Sequence, residues 1–148
     1  MEKFHFRLEK LLEIRRSLED ESKRSFKNAQ DEKLKVEEEL QSLKEKYRET
    51  SQNKNCTSIL EYKIVNNYMN FLDKRIAEEK INLKNKTIAV EEKWKELIDK
   101  QRDRQAVEKL RENKYLEYVK EVQAIEQKNN DEFALYGFIR NTERGWGK

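Results

Sequence analysis

The chain holds one imidazole, His5, and one thiol, Cys56. These are the side chains that titrate or attack most readily near neutral pH. Their positions put them at opposite ends of the fold derived below, so no Cys–His pair is expected within one chain. His5 reads as a capping or surface residue. Zinc would need about four N or S ligands at cluster spacing, and there is no such cluster and no glycine-rich phosphate loop. The acidic pairs Glu78-Glu79 and Glu91-Glu92 read as solvated helix faces. Arg15-Arg16 and Arg102-Asp103-Arg104 are short basic spots that could clamp a carboxylate through the guanidinium fork. No catalytic residue, metal or cofactor is expected, and the chain is expected not to be an enzyme.

The element that would position these groups is a run from Ser58 to Tyr136 without proline or glycine. It is rich in Lys, Glu, Leu, Ala, Arg and Gln, which lose little rotamer freedom on a helix. It opens on Ser58-Ile-Leu-Glu61, a capping box. It meets Gly137, which could take the left-handed conformation that ends a helix. The reading is one helix, ~120 Å long at 1.5 Å per residue. A second periodic segment covers residues 4–50. Its seam is Leu8, Leu11, Arg15, Leu18, Ser22, Phe26, Ala29, Lys33, Val36, Leu40, Leu43 and Tyr47, in alternating steps of three and four. The steps 18, 22, 26 take two fours in a row, a stutter that locally unwinds a supercoil. The pairs Glu19→Lys23, Asp20→Arg24 and Asp31→Lys35 mark the opposite face as solvated and contribute only ~0.2–0.5 kcal/mol each.

Composition agrees with long helices. Charged residues are 43% and apolar ones 35% of the 148, with three glycines, all after residue 136, and no proline, too little turn and core material for a globular domain. The net charge of +3 arises from 33 basic and 30 acidic residues that interleave, which argues against a nucleic-acid partner. No apolar run approaches the ~18–20 residues of a membrane span, and the opening Met-Glu-Lys-Phe-His-Phe has no apolar run of the kind a secretion signal carries. A cytoplasmic chain without direct membrane insertion is expected.

Residues 51–57 are polar apart from Cys56 and rich in asparagine, as turns prefer. A connection this short implies antiparallel neighbours. The expected fold class is therefore all-α, an antiparallel two-helix coiled-coil hairpin with the C-terminal helix longer than the N-terminal one. It is one coiled-coil domain over 1–148: helix one about 4–50, turn 51–57, helix two about 58–136, and a flexible tail 137–148 that includes Trp146. The long helix carries Tyr68, Leu72, Ile76, Leu83, Val90, Trp94 and Leu97, interrupted by Glu79 and Thr87. Its seam turns polar at Gln101, Arg104 and Glu108. A tip near residue 54 pairs Val36 with Leu72, Leu18 with Val90, Leu11 with Leu97, and Phe4 with about Arg104. The rest of the long helix then has no cover within the chain, although it bears Tyr115, Tyr118, Val122, Ile125, Phe133 and Tyr136. Such a strip marks an interaction surface. A second copy, a partner groove or a ring with an apolar sleeve would cover it, unless it folds back or frays.

The opening Phe4-His-Phe-Arg-Leu-Glu-Lys-Leu-Leu-Glu-Ile-Arg15 resembles the start of the FliJ family, the coiled-coil component of the flagellar type III export apparatus. Glu108-Lys-Leu-Arg-Glu and Asn130-Asp-Glu-Phe-Ala134 are similar to the family's C-terminal portion. The resemblance implies a stalk-like protein that acts without chemistry of its own. Its terminal end would enter the hexameric export ATPase, its other end would meet the cytoplasmic domain of the membrane export gate, and it would escort export chaperones. It would work at the cytoplasmic face of the cell membrane as a peripheral component. By position, the resemblance implies an ATPase-ring surface of Phe4, Phe6, Arg7, Leu8, Leu12, Arg111, Tyr115, Tyr118, Val122 and Phe133. It implies a gate surface of Leu43, Tyr47, Tyr68, Phe71 and Leu72, in which Leu43, Tyr68 and Leu72 also read as plain core. The alternatives are a generic coiled-coil scaffold or homodimeric four-helix bundle and, behind these, a nucleic-acid-binding helical arm.

Overall fold

The computed structural model describes residues 3–53 and 55–145. It is all-α, with α1 (Glu9–Gln52) and a longer α2 (Ile59–Gly145) packed antiparallel. Two compact units divide the chain: Arg15–Arg102, and Met1–Ile14 with Asp103–Lys148.

In the unit Arg15–Arg102, ascending positions on α1 meet descending ones on α2. Phe26 lies against Trp94 at a centroid distance of 5.3 Å. Glu32 accepts from Lys86 Nζ at 2.9 Å, and Glu39 pairs with Arg75 at 3.5 Å. Val36, Leu40, Met69, Leu72 and Leu97 form the buried core. The α1 seam from Arg15 to Tyr47 is buried or half-buried at every expected position, because steps of three and four keep one face toward the partner helix. Two polar residues join the core. Glu79 pairs with Arg75 at 3.7 Å and accepts from Asn82. Glu19, expected on the solvated face, is only 2% exposed and is held by Lys23 at 3.0 Å. Among the described residues no buried side-chain polar atom lacks a partner, as burial of such groups demands.

Several expectations need correction. The register differs: Phe26 meets Trp94, about three helical turns beyond the position that a tip at 54 assigns it. The cause lies at the turn. Residues 58–64 are all exposed, so α2 adds nothing to the seam before Val65. Helical side chains also lean toward their own N-termini, which in an antiparallel pair slides each contact further from the turn. Met69, not Tyr68, is the buried residue of its turn, and Trp94 is half-exposed with its ring tilted against Phe26. α1 begins at Glu9, not Phe4, and α2 continues through Gly137 to Gly145. Gly137 has no positive φ, so the helix simply runs through it. Trp146 lies outside the described residues.

Two predictions arise here. A Cβ at Gly137 would meet nothing within 4 Å. Gly137→Ala should therefore stabilise the surrounding turns by about 1 kcal/mol, read as slower amide exchange over residues 133–141.

The second concerns the start of α2. Glu61 N–H donates to Ser58 Oγ at 3.2 Å, while the Glu61 carboxylate accepts from Thr57 N–H at 3.0 Å and Thr57 Oγ1 at 2.9 Å. The carboxylate thus reaches one residue further back than in the simplest capping box. The Thr57 backbone and hydroxyl bonds hold the Glu61 carboxyl below its ordinary value. A lowered folded pKa makes this stabilisation complete at neutral pH and lost as pH falls through the folded value. Ser58→Ala should cost about 1 kcal/mol, read as faster exchange in the first turn of α2.

Candidate docking surfaces

In the unit Met1–Ile14 with Asp103–Lys148, the residues before α1 form a non-helical arm. Glu9 N–H donates to the Phe6 carbonyl at 3.1 Å and Leu12 N–H to that of Leu8 at 3.0 Å, which turns the arm into the helix. Phe6 is buried and Leu12 is 0% exposed. The Phe4 ring stands edge-on to Tyr115 at 5.3 Å and tilted against Tyr118 at 5.6 Å, geometries that favour the aromatic quadrupole. Glu9 accepts from Arg111 Nε at 3.0 Å. A groove of about 610 Å³ opens beside the arm, lined by Phe4–Leu8 and by Leu110, Lys114, Glu117, Tyr118 and Glu121 of α2. Glu117, bonded to Lys114 at 2.7 Å, raises the Lys114 pKa through that hydrogen bond and its charge.

The structure brings most of the implied ring-surface residues together around this arm and groove. They differ in what they offer a partner. Phe6 and Leu12 are interior, Phe4, Tyr118 and Val122 are half-buried, and Arg7, Leu8, Arg111 and Tyr115 are exposed. Phe133 stands apart from the arm at 74% exposure. From Gln123 to Gly145 every residue is exposed, including Ile125, Leu135, Tyr136, Phe138 and Ile139. Among the described residues, none covers the apolar side chains of this stretch.

The implied gate residues lie in the unit Arg15–Arg102. Leu72 is core at 1% exposure, whereas Phe71 beside it is 56% exposed. Leu43 and Tyr47 are half-buried and Tyr68 is exposed. Ile59, Leu60, Tyr62 and Ile64 are all exposed on the first two turns of α2. Two of these residues lie inside the capping box and two just after it, a signal that an assumed early start of the seam concealed.

Among the described residues, no group of three or more His, Cys, Asp or Glu could hold a metal ion, and no helix is long and apolar enough to cross a membrane. Cys56 is a half-buried free thiol, and His5 lines the groove. The geometry therefore offers apolar and aromatic faces for binding. No curated protein and no solved structure matches the chain. A model of the family described as the flagellar FliJ protein matches residues 4–143, and the chain belongs to that family, a non-enzymatic component of the flagellar export apparatus.

Proposed function

We propose that this chain is a stalk-like coupling protein of the export apparatus that binds the hexameric export ATPase and the cytoplasmic domain of the membrane export gate, and escorts export chaperones. The observation that carries the reading is the exposed stretch of α2 beyond Gln123, with Phe133, Tyr136 and Ile139 open to solvent. Apolar side chains left open in this number need a cover, and the interior of a ring would supply one. The arm with Phe4, Tyr115 and Tyr118 supplies the aromatic rim of the same surface. Gate binding is assigned to Phe71 and Tyr47, aromatic residues at the edge of the seam whose rings serve packing and recognition together. Such a protein alters ATPase output only by binding the states of the ring unequally. Its place is at the cytoplasmic face of the membrane, as a peripheral component.

The test is capture of the export ATPase with nucleotide turnover measured beside it, using the full chain and a form ending at Val122. That form keeps the residues that Phe4 and Glu9 touch. The truncate should lose stimulation of turnover by at least tenfold while its helices persist by circular dichroism, because binding at one site can act only through differential affinity. Full stimulation by the truncate would refute the reading.

A further inference from the structure

The open stretch of α2 has an internal order that a partner ring does not require. From Val122, steps of three and four lead through Ile125, Asn129, Glu132, Tyr136 and Ile139 on one face of the helix. Such spacing is the seam of a two-helix pair. One flank of that seam carries Glu126, Phe133 and Arg140, and the other carries Lys128, Leu135 and Thr142, at seven-residue intervals. In an antiparallel pair of identical helices each flank faces its own copy. A two-fold axis beside Ala134 then sets Phe133 against Phe133, Leu135 against Leu135, and Glu126 against Arg140 twice. The same axis places the Tyr136 hydroxyl beside the Glu132 carboxylate, so that charge gains a donor, while Glu143, the next seam position, falls opposite Ile125 near the end of the pair. A parallel pair fails on charge: it sets Glu121 of one copy against Glu126 of the other, and like charges at flanking positions repel.

We propose that residues 122–145 pair antiparallel with the same segment of a second copy of this chain, about a two-fold axis at Ala134. The arm does not compete, since its groove ends at Glu121. Asn129, Glu132 and Glu143 on the seam make the association reversible, because polar seam residues fix register at a cost in stability. The pairing covers Phe133 and Tyr136, which the ATPase reading also uses, so a chain presents this face either to its copy or to the ring. The pairing needs no ATPase, and its failure would leave the ring reading untouched.

The experiment uses the full chain with Cys56→Ser. At about 100 µM, above a Kd in the micromolar range, sedimentation should show dimer. Arg140→Glu should weaken dimerisation about tenfold, through two like-charge contacts per dimer, and adding Glu126→Arg should restore it. Under oxidation Leu135→Cys, at the two-fold axis, should cross-link at least tenfold faster than Phe138→Cys, which points off the seam. A monomer at that concentration, equal cross-linking at both positions, or a double charge swap that fails to restore pairing would overturn the proposal.

Discussion

Leu72→Ala should lower stability by about 2–5 kcal/mol, the range for truncating a fully buried leucine where the neighbours relax only partly. Leu72 is 1% exposed, in the same buried set as Val36, Leu40 and Met69. In a chain of this length the loss corresponds to a fall in melting temperature on the order of 10 °C. Phe71→Ala, one residue away, should change stability by less than about 0.5 kcal/mol, because its ring is mostly in water. The contrast bears on function. If the gate binds the edge of the seam, Phe71→Ala should weaken gate binding at least tenfold with the melting temperature nearly unchanged. Leu72→Ala should reduce binding only as far as it unfolds the site. Thermal melts and gate titrations on the two variants separate the roles. Equal stability losses would mean that the face assigned to the core is wrong, and unaltered gate affinity in Phe71→Ala would remove the residue from that surface.

What the sequence disclosed depended on the period of the helix. Leu11, Leu18, Phe26, Val36 and Leu40 fall on one face at 3.6 residues per turn, and each is withdrawn from solvent as its position requires. The antiparallel arrangement was legible because the break at residues 51–57 allows nothing longer than a short turn. Register was not legible, because it depends on where α2 first touches α1. Ile59, Leu60 and Ile64 look like seam residues by type, yet all three are exposed. Met69 and Tyr68 illustrate the same limit. Either could fill the turn before Leu72, and the flexible apolar thioether packs while the phenol keeps its hydroxyl in water. Gly137 misled for another reason. A glycine costs only about 1 kcal/mol inside a helix, too little to end one whose flanking residues favour it. Glu19 was read as solvated because it is charged, although it lies next to Leu18 on the seam and its charge is met by Lys23. The docking surfaces were legible as an excess of apolar residues. The arm that folds Phe4 onto Tyr115 and Tyr118 was not, because it is non-helical and has no period to read.

That arm carries the second large effect. Phe6→Ala should cost about 3–5 kcal/mol, the range for a buried phenylalanine, and the loss should be local. Phe6 is buried and its carbonyl takes the first amide of α1, so its ring and backbone together fix the arm. Without the ring, the arm should open as a unit of low stability, as segments with few buried contacts do. Amide exchange at Glu9 should then rise on the order of 100-fold, while the amides around Leu72 keep their protection. Phe4→Ala is the informative comparison. Phe4 is only half-buried and makes two ring contacts, each worth ~0.5–1.5 kcal/mol beyond area, so its loss should leave Glu9 protected. If the ATPase binds the aromatic rim, both variants should lose affinity, Phe4→Ala by removing a contact and Phe6→Ala by releasing the arm that presents it. If the arm merely covers Tyr115 and Tyr118, releasing it should instead raise affinity, and the two variants should move in the same upward direction. Hydrogen exchange and ATPase titration on this pair therefore decide whether the N-terminal arm belongs to the docking surface or shields it.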